Sequence, residues 1–194
     1  ILAQMSSESE MNKKSLEGYR HYNDSKYNAE SVALYYDINE NMTLKAEFTH
    51  SNYVIHLAGA LNDRQFADDP RQATRTRNYY NPDIYIPSLT FDWKIGERTK
   101  LKFVSNAILG DRNSVMFDKP ANIADTIVTA TGQYNHRQVD IDNYHSFMNE
   151  VRMLHEYRFF SHKNILTAGI QTINNDLHRR QQGVGSTGSD YDLS

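Results

Sequence analysis

The sequence contains no cysteine, so it can form neither a disulfide framework nor a thiolate metal site. It also lacks any apolar run of the roughly 18 residues that a membrane-spanning helix needs, and its mean hydropathy is -0.72. The net charge is -3, which provides no basic field for nucleic acid. These absences exclude a helical membrane protein and indicate no nucleic-acid partner, but they leave open a sheet that is apolar on one face.

Signatures of catalysis and metal binding are missing as well. The sequence shows no GxSxG elbow, phosphate-binding loop or zinc-protease motif. Eight histidines are present, but neither His136 with His145 nor His50 with His56 has ligand spacing within one element. We therefore expect no enzymatic activity, no metal site and no cofactor.

The N-terminal residues suit either a mature chain or an interior piece of a longer protein, and the C-terminal residues favour the piece. Residues 1–10 lack the basic segment, apolar core and cleavage site of a signal peptide. Residues 192–194 end a Gly/Ser-rich loop without a closing strand.

A repeated alternation of apolar and polar residues dominates the rest of the chain. Such a period of two predicts β-strands with one apolar and one polar face. The alternating stretches form three pairs joined by turns at 39–41, 96–98 and 161–163, and long polar connections near 56–83, 110–145 and 178–194 separate the pairs. Residues 8–25 indicate a further long loop, preceded by a strand remnant. The paired stretches are Val32–Ile38 with Leu44–Phe48, Leu89–Ile95 with Leu101–Leu109, and Val151–Tyr157 with Ile165–Ile173.

Short turns on one rim and long loops on the other are typical of an antiparallel transmembrane β-barrel. Aromatic residues form two groups that suit its two interfacial girdles. We expect irregularities at Pro87, where a bulge or strand start would restore the phase of the apolar residues, and at Asn149 and His155, which fall on the apolar side. The alternative is a soluble β-sheet module with cross-strand aromatic packing. The two groups are Tyr36, Phe91, Trp93, Tyr157, Phe159 and Phe160 near the tight turns, and Tyr53, Tyr79, Tyr80 and Tyr85 toward the long loops.

Arginines in the long connections are candidates for binding an anionic ligand. Guanidinium groups pair bidentately with carboxylates and phosphates. Arg71 and Arg75 lie in the first connection among Asp63, Asp68 and Asp69, together with Arg64 and Arg77. Arg112 and Arg137 lie where strands give way to the second connection, which in a barrel is the mouth of the lumen. Each of these arginines has an alternative role, which is to brace its loop against neighbouring groups.

Several segments resemble the barrel of TonB-dependent outer-membrane receptors, in the branch that includes the ferric-citrate receptor. The first is GALNDRQFADDPRQATRTRNYYN at 59–81. The others follow in the expected order and spacing: EGYRHYNDS at 17–25, AILGDR at 107–112, NEVRMLHEYRF at 149–159 and RRQQGVGSTGSDYDL at 179–193.

The resemblance implies that residues 1–194 are about six strands of a 22-stranded barrel in the bacterial outer membrane, without the plug domain. It further implies import of an anionic ferric chelate, such as ferric citrate or a siderophore, with energy from TonB acting through the plug. Arg112 and Arg137 match two chelate-binding arginines of the branch, and Arg71 and Arg75 are further candidates. Iron would stay in its chelator, so no protein ligands are required. A receptor of the same architecture for a glycan, peptide or cobalamin remains an alternative.

Overall fold

The computed structural model describes residues 2–14 and 20–185, and side chains from residue 20 onward. They form one antiparallel sheet of seven strands in the order β1-β2-β3-β4-β5-β8-β9, and a separate hairpin of β6 and β7. The strands are β1 Leu2–Lys14, β2 Asp24–Asn39, β3 Met42–His56, β4 Tyr79–Ile95, β5 Thr99–Met116, β6 Ile127–Val128, β7 Gln133–Tyr134, β8 Gln138–Phe159 and β9 His162–Val184. A short helix, α1, spans Asp63–Asp68.

Every strand of the large sheet pairs with its neighbour in sequence order, apart from the hairpin inserted between β5 and β8. This is the expected partial antiparallel barrel, with seven strands instead of about six. Strand β1 is the additional strand. Its second half occupies part of the polar stretch 8–25, for which the sequence predicts a loop. Residues 15–19 and 186–194 lie outside the described part, and with them part of the segments 17–25 and 179–193. Among the described residues, no helix is long and apolar enough to cross a membrane.

Tight turns join the strands at one end of the sheet, and long connections join them at the other. The turns lie at 40–41, 96–98 and 160–161, and the long connections are 57–78 and 117–137. The strands are longer than the alternation predicts. For example, β9 has 23 residues, whereas a strand needs only about 9–11 residues to cross a bilayer. Their polar far ends continue the hydrogen-bonded ladder, so part of each predicted long connection is strand.

The register of the ladder gives the sheet one apolar and one polar face. One row across five strands, from β3 to β9, contains only apolar side chains, and an adjacent row from β2 to β8 contains only polar ones. We call these sides the apolar face and the polar face. The apolar row is Leu44, Phe91, Phe103, Val151 and Ile170, and the polar row is Asp37, Thr43, Asp92, Lys102 and Arg152.

The predicted bulge at Pro87 is wrong. Pro87 pairs with Phe48 in an unshifted register, and Ile84 and Ile86 simply lie on the polar face. The pairing of β4 with β5 skips Ile86 and Pro87 without a register shift, and the ladder between β3 and β4 is interrupted beside Pro82, where Asn52 Nδ2 donates to the Pro82 carbonyl at 3.4 Å. An apolar residue on the polar face changes the pattern of the sequence without changing the register, which explains the error.

Two polar residues expected on the apolar face are found there with side-chain partners. Ser105 Oγ donates to Asn149 Oδ1 at 2.8 Å. The ring Nδ1 of His155 lies 2.8 Å from Thr99 Oγ1. Cross-strand hydrogen bonds of this kind satisfy polar groups that lipid would leave unpaired.

The second predicted aromatic girdle is only partly correct. Tyr79 and Tyr85 lie on the apolar face, but the register places Tyr53 and Tyr80 on the polar face. Tyr79 is buried, with 4% of its surface exposed, so it faces protein and not lipid. Neighbouring tyrosines on one strand point to opposite faces, and a single sequence does not show the register by which to assign them.

The long connections form a second layer over the far ends of the strands. Tyr79, Val115 and Val139 make a core cluster with 4%, 0% and 3% of their surfaces exposed. These three side chains lie on the apolar face, beyond its apolar rows. A single sheet cannot bury a side chain by itself, so the covering layer comes from residues 57–78 and 117–137, which we call the loop layer.

A buried ion pair joins the two halves of the loop layer. Arg77 Nε and Nη2 donate to the two carboxylate oxygens of Asp125, both at 2.7 Å. The two side chains are 2% and 0% exposed, and the guanidinium also lies 4.2 Å from the centre of the Tyr134 ring. The pair therefore connects the first long connection to the second.

Replacing Asp125 with alanine should open the loop layer. It leaves the Arg77 charge buried without its partner, and breaking a buried pair in this way costs about 3–5 kcal/mol. Limited proteolysis of the complete protein in detergent should show faster cleavage within 117–137 for Asp125→Ala.

Asp68→Ala is the matched control, because Asp68 is 71% exposed and lies 4.0 Å from Arg64. An exposed pair of this kind contributes about 0–1 kcal/mol, so cleavage should match the unaltered protein. Equal cleavage of both variants would show that the ion pair does not hold the layer.

Candidate binding surface on the polar face

Two of the predicted site arginines lie inside the loop layer. Arg75 is 5% exposed and Arg137 is 1% exposed. The Arg75 guanidinium donates to the carbonyls of Phe117 at 3.1 Å and Ile123 at 2.7 Å. Arg137 Nη1 donates to the Arg77 carbonyl at 3.0 Å. The structure thus places both side chains where they brace the loops, which is the alternative role that the sequence left open.

Arg71, the third predicted site residue, lies on the surface of the loop layer with an exposed side chain. Its backbone N–H donates to Asp69 Oδ1 at 2.9 Å, and its carbonyl accepts from the His21 N–H at 2.9 Å. Nearby, the Arg20 guanidinium donates to the carbonyls of Ala58 at 3.2 Å and Gln72 at 2.8 Å. The connection between β1 and β2 is thereby fastened to the loop layer by a residue that charge reasoning did not single out.

The fourth predicted residue, Arg112, lies on the polar face and is half-exposed. It belongs to β5 and pairs across the ladder with Asp142 of β8, which in turn pairs with Arg179 of β9. An Arg112 Nη2–Asp142 Oδ2 hydrogen bond joins the first two side chains. Arg179 donates Nε to Asp142 Oδ1 at 3.0 Å and Nη2 to Oδ2 at 3.1 Å. One carboxylate on β8 therefore fixes two guanidinium groups on the strands that flank it.

The exposures of these three side chains show which groups a solute meets. Arg112 and Arg179 are 37% and 47% exposed, whereas Asp142 is 2% exposed. The hydrogen bond from Arg179 holds the pKa of Asp142 below its ordinary value, and the charge of Arg112 adds to this effect. The carboxyl is therefore ionised at neutral pH, and the trio presents two donors with a net charge of one positive unit.

A row of tyrosines leads up to this trio on the same face. The ring centres of Tyr27 and Tyr53 are 5.9 Å apart, with the planes tilted by 35°. Those of Tyr53 and Tyr80 are 6.3 Å apart, tilted by 38°. The Arg112 guanidinium carbon lies 5.6 Å from the centre of the Tyr80 ring. We call Tyr27, Tyr53, Tyr80, Arg112, Asp142 and Arg179 the Tyr–Arg row; it crosses six strands, from β2 to β9.

The Tyr–Arg row lies beyond the apolar rows, toward the long connections. At about 3.3 Å per residue, Arg112 is roughly 40 Å along β5 from the turn at 96–98. Strands of a membrane barrel tilt by about 35–45°, so this path corresponds to a height of roughly 30 Å, whereas the apolar band is about 25 Å tall. The loop layer covers the apolar face at this level, as the buried Val115 shows. The polar face carrying the row is left accessible.

Sequence reasoning found one member of this row and missed the other five. Arg179 begins one of the quoted segments, at 179–193, but nothing in that segment alone marks it as a binding residue. Asp142 lies within a predicted loop, and only strand pairing reveals that it is shared by two arginines. Within the described residues, no group of three or more histidine, aspartate or glutamate side chains is placed to hold a metal ion.

The fold resembles a solved structure, the crystal structure of the ferric citrate transporter FecA in its unliganded form, with a TM-score of 0.72. The likeness covers 89% of this chain at 14% sequence identity. The chain spans 25% of the length of that transporter chain. No protein-family model matches the sequence, and no curated protein matches it as a relative. At this identity the likeness shows the fold alone, and it confirms the prediction of a partial antiparallel β-barrel.

Proposed function

We propose that this chain is one arc of the barrel of an outer-membrane receptor that imports an anionic ferric chelate with energy from TonB. The observation that carries the proposal is the pair of exposed guanidinium groups held on buried Asp142 at the accessible end of the polar face. The structural neighbour, which is named a ferric citrate transporter, supports the same reading. The plug and the contact with TonB would belong to parts of the receptor beyond this chain.

The apolar face supports a membrane location. Leu34, Phe147 and Ile170 are 44%, 47% and 68% exposed in the sheet. A contiguous apolar surface of this kind marks an interface with another apolar phase. In a barrel that phase is lipid, whereas a soluble binding module would need a second layer to cover it. The described residues place such a layer only over the strand ends.

The chemistry of the Tyr–Arg row suits a ferric chelate. Such a complex is bulky and anionic, and charged bidentate donors at a lumen mouth attract it and orient it. Its iron is fully coordinated by the chelator, so the receptor needs no metal ligands. Because both guanidinium groups are already positioned by Asp142, binding orders few additional side chains. No catalytic step is part of this proposal.

Removing either exposed guanidinium should weaken chelate binding. Arg112→Ala or Arg179→Ala loses a charge-assisted hydrogen bond to the anion, worth about 1–3 kcal/mol. Calorimetric titration of the complete receptor in detergent with ferric citrate and with ferric catecholate and hydroxamate chelates measures the loss.

Arg152→Ala is the control for these variants, since Arg152 lies on the same polar face near the tight turns and pairs with Glu150. Its affinity should be unchanged. If Arg112→Ala and Arg179→Ala both bind every chelate as tightly as Arg152→Ala, the row is not the site. If the receptor binds a glycan, peptide or cobalamin and no chelate, the iron proposal fails.

A charge on the apolar face should impair insertion into the membrane. Val151→Lys places an ammonium near the middle of the apolar rows, at a cost of about 2–4 kcal/mol. Less of this variant than of the unaltered complete receptor should be found in the outer-membrane fraction, and less of it should show heat-modifiable migration.

Gln171→Lys is the matched control, because Gln171 lies on the polar face opposite Glu150. This variant should fractionate normally. Equal behaviour of the two lysine variants, or recovery of the unaltered receptor as a soluble protein, would rule out a lipid-facing apolar side.

A further inference from the structure

We infer that the Tyr–Arg row binds a ferric chelate whose iron is held by aromatic groups, such as a catecholate, in preference to an aliphatic carboxylate chelate. This inference rests on the proposed function and specifies its substrate class. It concerns three tyrosines that neither the charge pattern nor the resemblance assigns to a site.

The tyrosine part of the row is a continuous aromatic surface. Its successive ring centres are separated by 5.9 Å and 6.3 Å, within the range in which aromatic rings interact favourably in tilted or offset geometry. Tyr27 is 38% exposed, and Tyr53 and Tyr80 are partly exposed. An incoming ring can therefore contact the row without displacing protein side chains.

The cationic part of the row adjoins the aromatic part directly. Arg112 contacts the Tyr80 ring, with the guanidinium carbon 5.6 Å from its centre, and also bonds to Asp142. A ligand that spans Tyr53 to Arg179 must offer ring surface at one end and anionic oxygens at the other. Ferric catecholates offer both, since their rings surround a centre whose negative charge lies on the coordinating oxygens.

An aliphatic carboxylate chelate uses only part of this surface. Its carboxylates would pair with Arg112 and Arg179, but ring faces carry a negative quadrupole and repel anions. A neutral glycan uses the opposite part, because sugar rings stack on tyrosine but leave both guanidinium groups without an anionic partner. The combination of three tyrosine rings with two exposed arginines favours a chelate that is both aromatic and anionic.

The phenol of Tyr53 also remains uncharged, because its pKa is raised. Burial raises the pKa of Tyr53, and the neighbouring Tyr80 adds to the effect. A neutral phenol adds no negative charge to the row and keeps its O–H donor at physiological pH. The row can thus contact both the rings and the oxygens of the ligand.

Comparison of two ferric probes in the complete receptor tests this inference. The probes are the ferric complex of a tris-catecholate tripod and ferric citrate, titrated in detergent by intrinsic fluorescence quenching and calorimetry. The unaltered receptor should bind the catecholate complex more tightly than ferric citrate. Tyr53→Leu and Tyr80→Leu should each weaken catecholate binding by about 3- to 10-fold, the equivalent of one aromatic contact, and weaken citrate binding less, so that the preference for the catecholate complex falls.

Two further variants separate the ring from other contributions. Tyr53→Phe keeps the ring and should retain most of the affinity for the catecholate complex. Tyr35→Leu removes a tyrosine of the polar face that lies outside the row, beside Lys45, and should change neither affinity. Arg112→Ala should weaken both probes, and heat-modifiable migration verifies that each variant is folded.

The possible results distinguish this inference from the proposed function. Tighter binding of ferric citrate by the unaltered receptor overturns the inference but leaves the proposed function intact, and this comparison needs no variant. Unchanged catecholate affinity in folded Tyr53→Leu and Tyr80→Leu likewise overturns it. Binding of maltoheptaose in place of either ferric probe, lost in the tyrosine variants, overturns both.

Discussion

Strand pairing is the constraint on which the rest of this structure depends, because it fixes which side chains share a face. Each described strand of the large sheet pairs in antiparallel register with its neighbours, and side chains alternate between the faces with a period of two. The same pairing that aligns Phe91, Phe103 and Val151 on one side aligns Arg112, Asp142 and Arg179 on the other. A slip of one residue would exchange the two faces of a strand.

The sheet is a single layer, so its protein-filled core lies only where the long connections fold over it. That core combines a small apolar cluster with arginines whose donors reach several backbone carbonyls. Arg75 alone bonds to the carbonyls of five residues of both connections: Thr74, Phe117, Lys119, Pro120 and Ile123. Irregular loops leave such carbonyls without ladder partners, and a guanidinium with five donors can satisfy several of them. The abundance of arginine in this segment thus has a structural role.

Much of the sheet could be predicted from the sequence, because alternation and tight turns are local signals. The faces of β2, β3, the later part of β4 and most of β5 follow from apolar residues at every second position. The far ends of the strands could not be predicted, since they are polar on both faces and look like loop. For the same reason the sequence does not show that Asp142 and Arg179 lie beside Arg112. Long-range pairing, which a single sequence does not display, brings these residues together.

Arginine residues also show the limit of reasoning from residue type. Arg75, Arg137 and Arg112 are chemically identical and all lie near strand ends, yet the first two are enclosed by loops and the third faces the open side. The difference depends on whether the side chain points toward the loop layer or away from it.

The position of the loop layer also has a consequence for the rate of binding. Since the layer packs against the apolar side of the strand ends, the opposite side is formed by side chains on strands held by backbone pairing. A solute arriving at this arc meets groups that are already ordered, so association there requires no closure of a loop. The encounter should then be governed by diffusion and by the local electric field, and be sensitive to ionic strength.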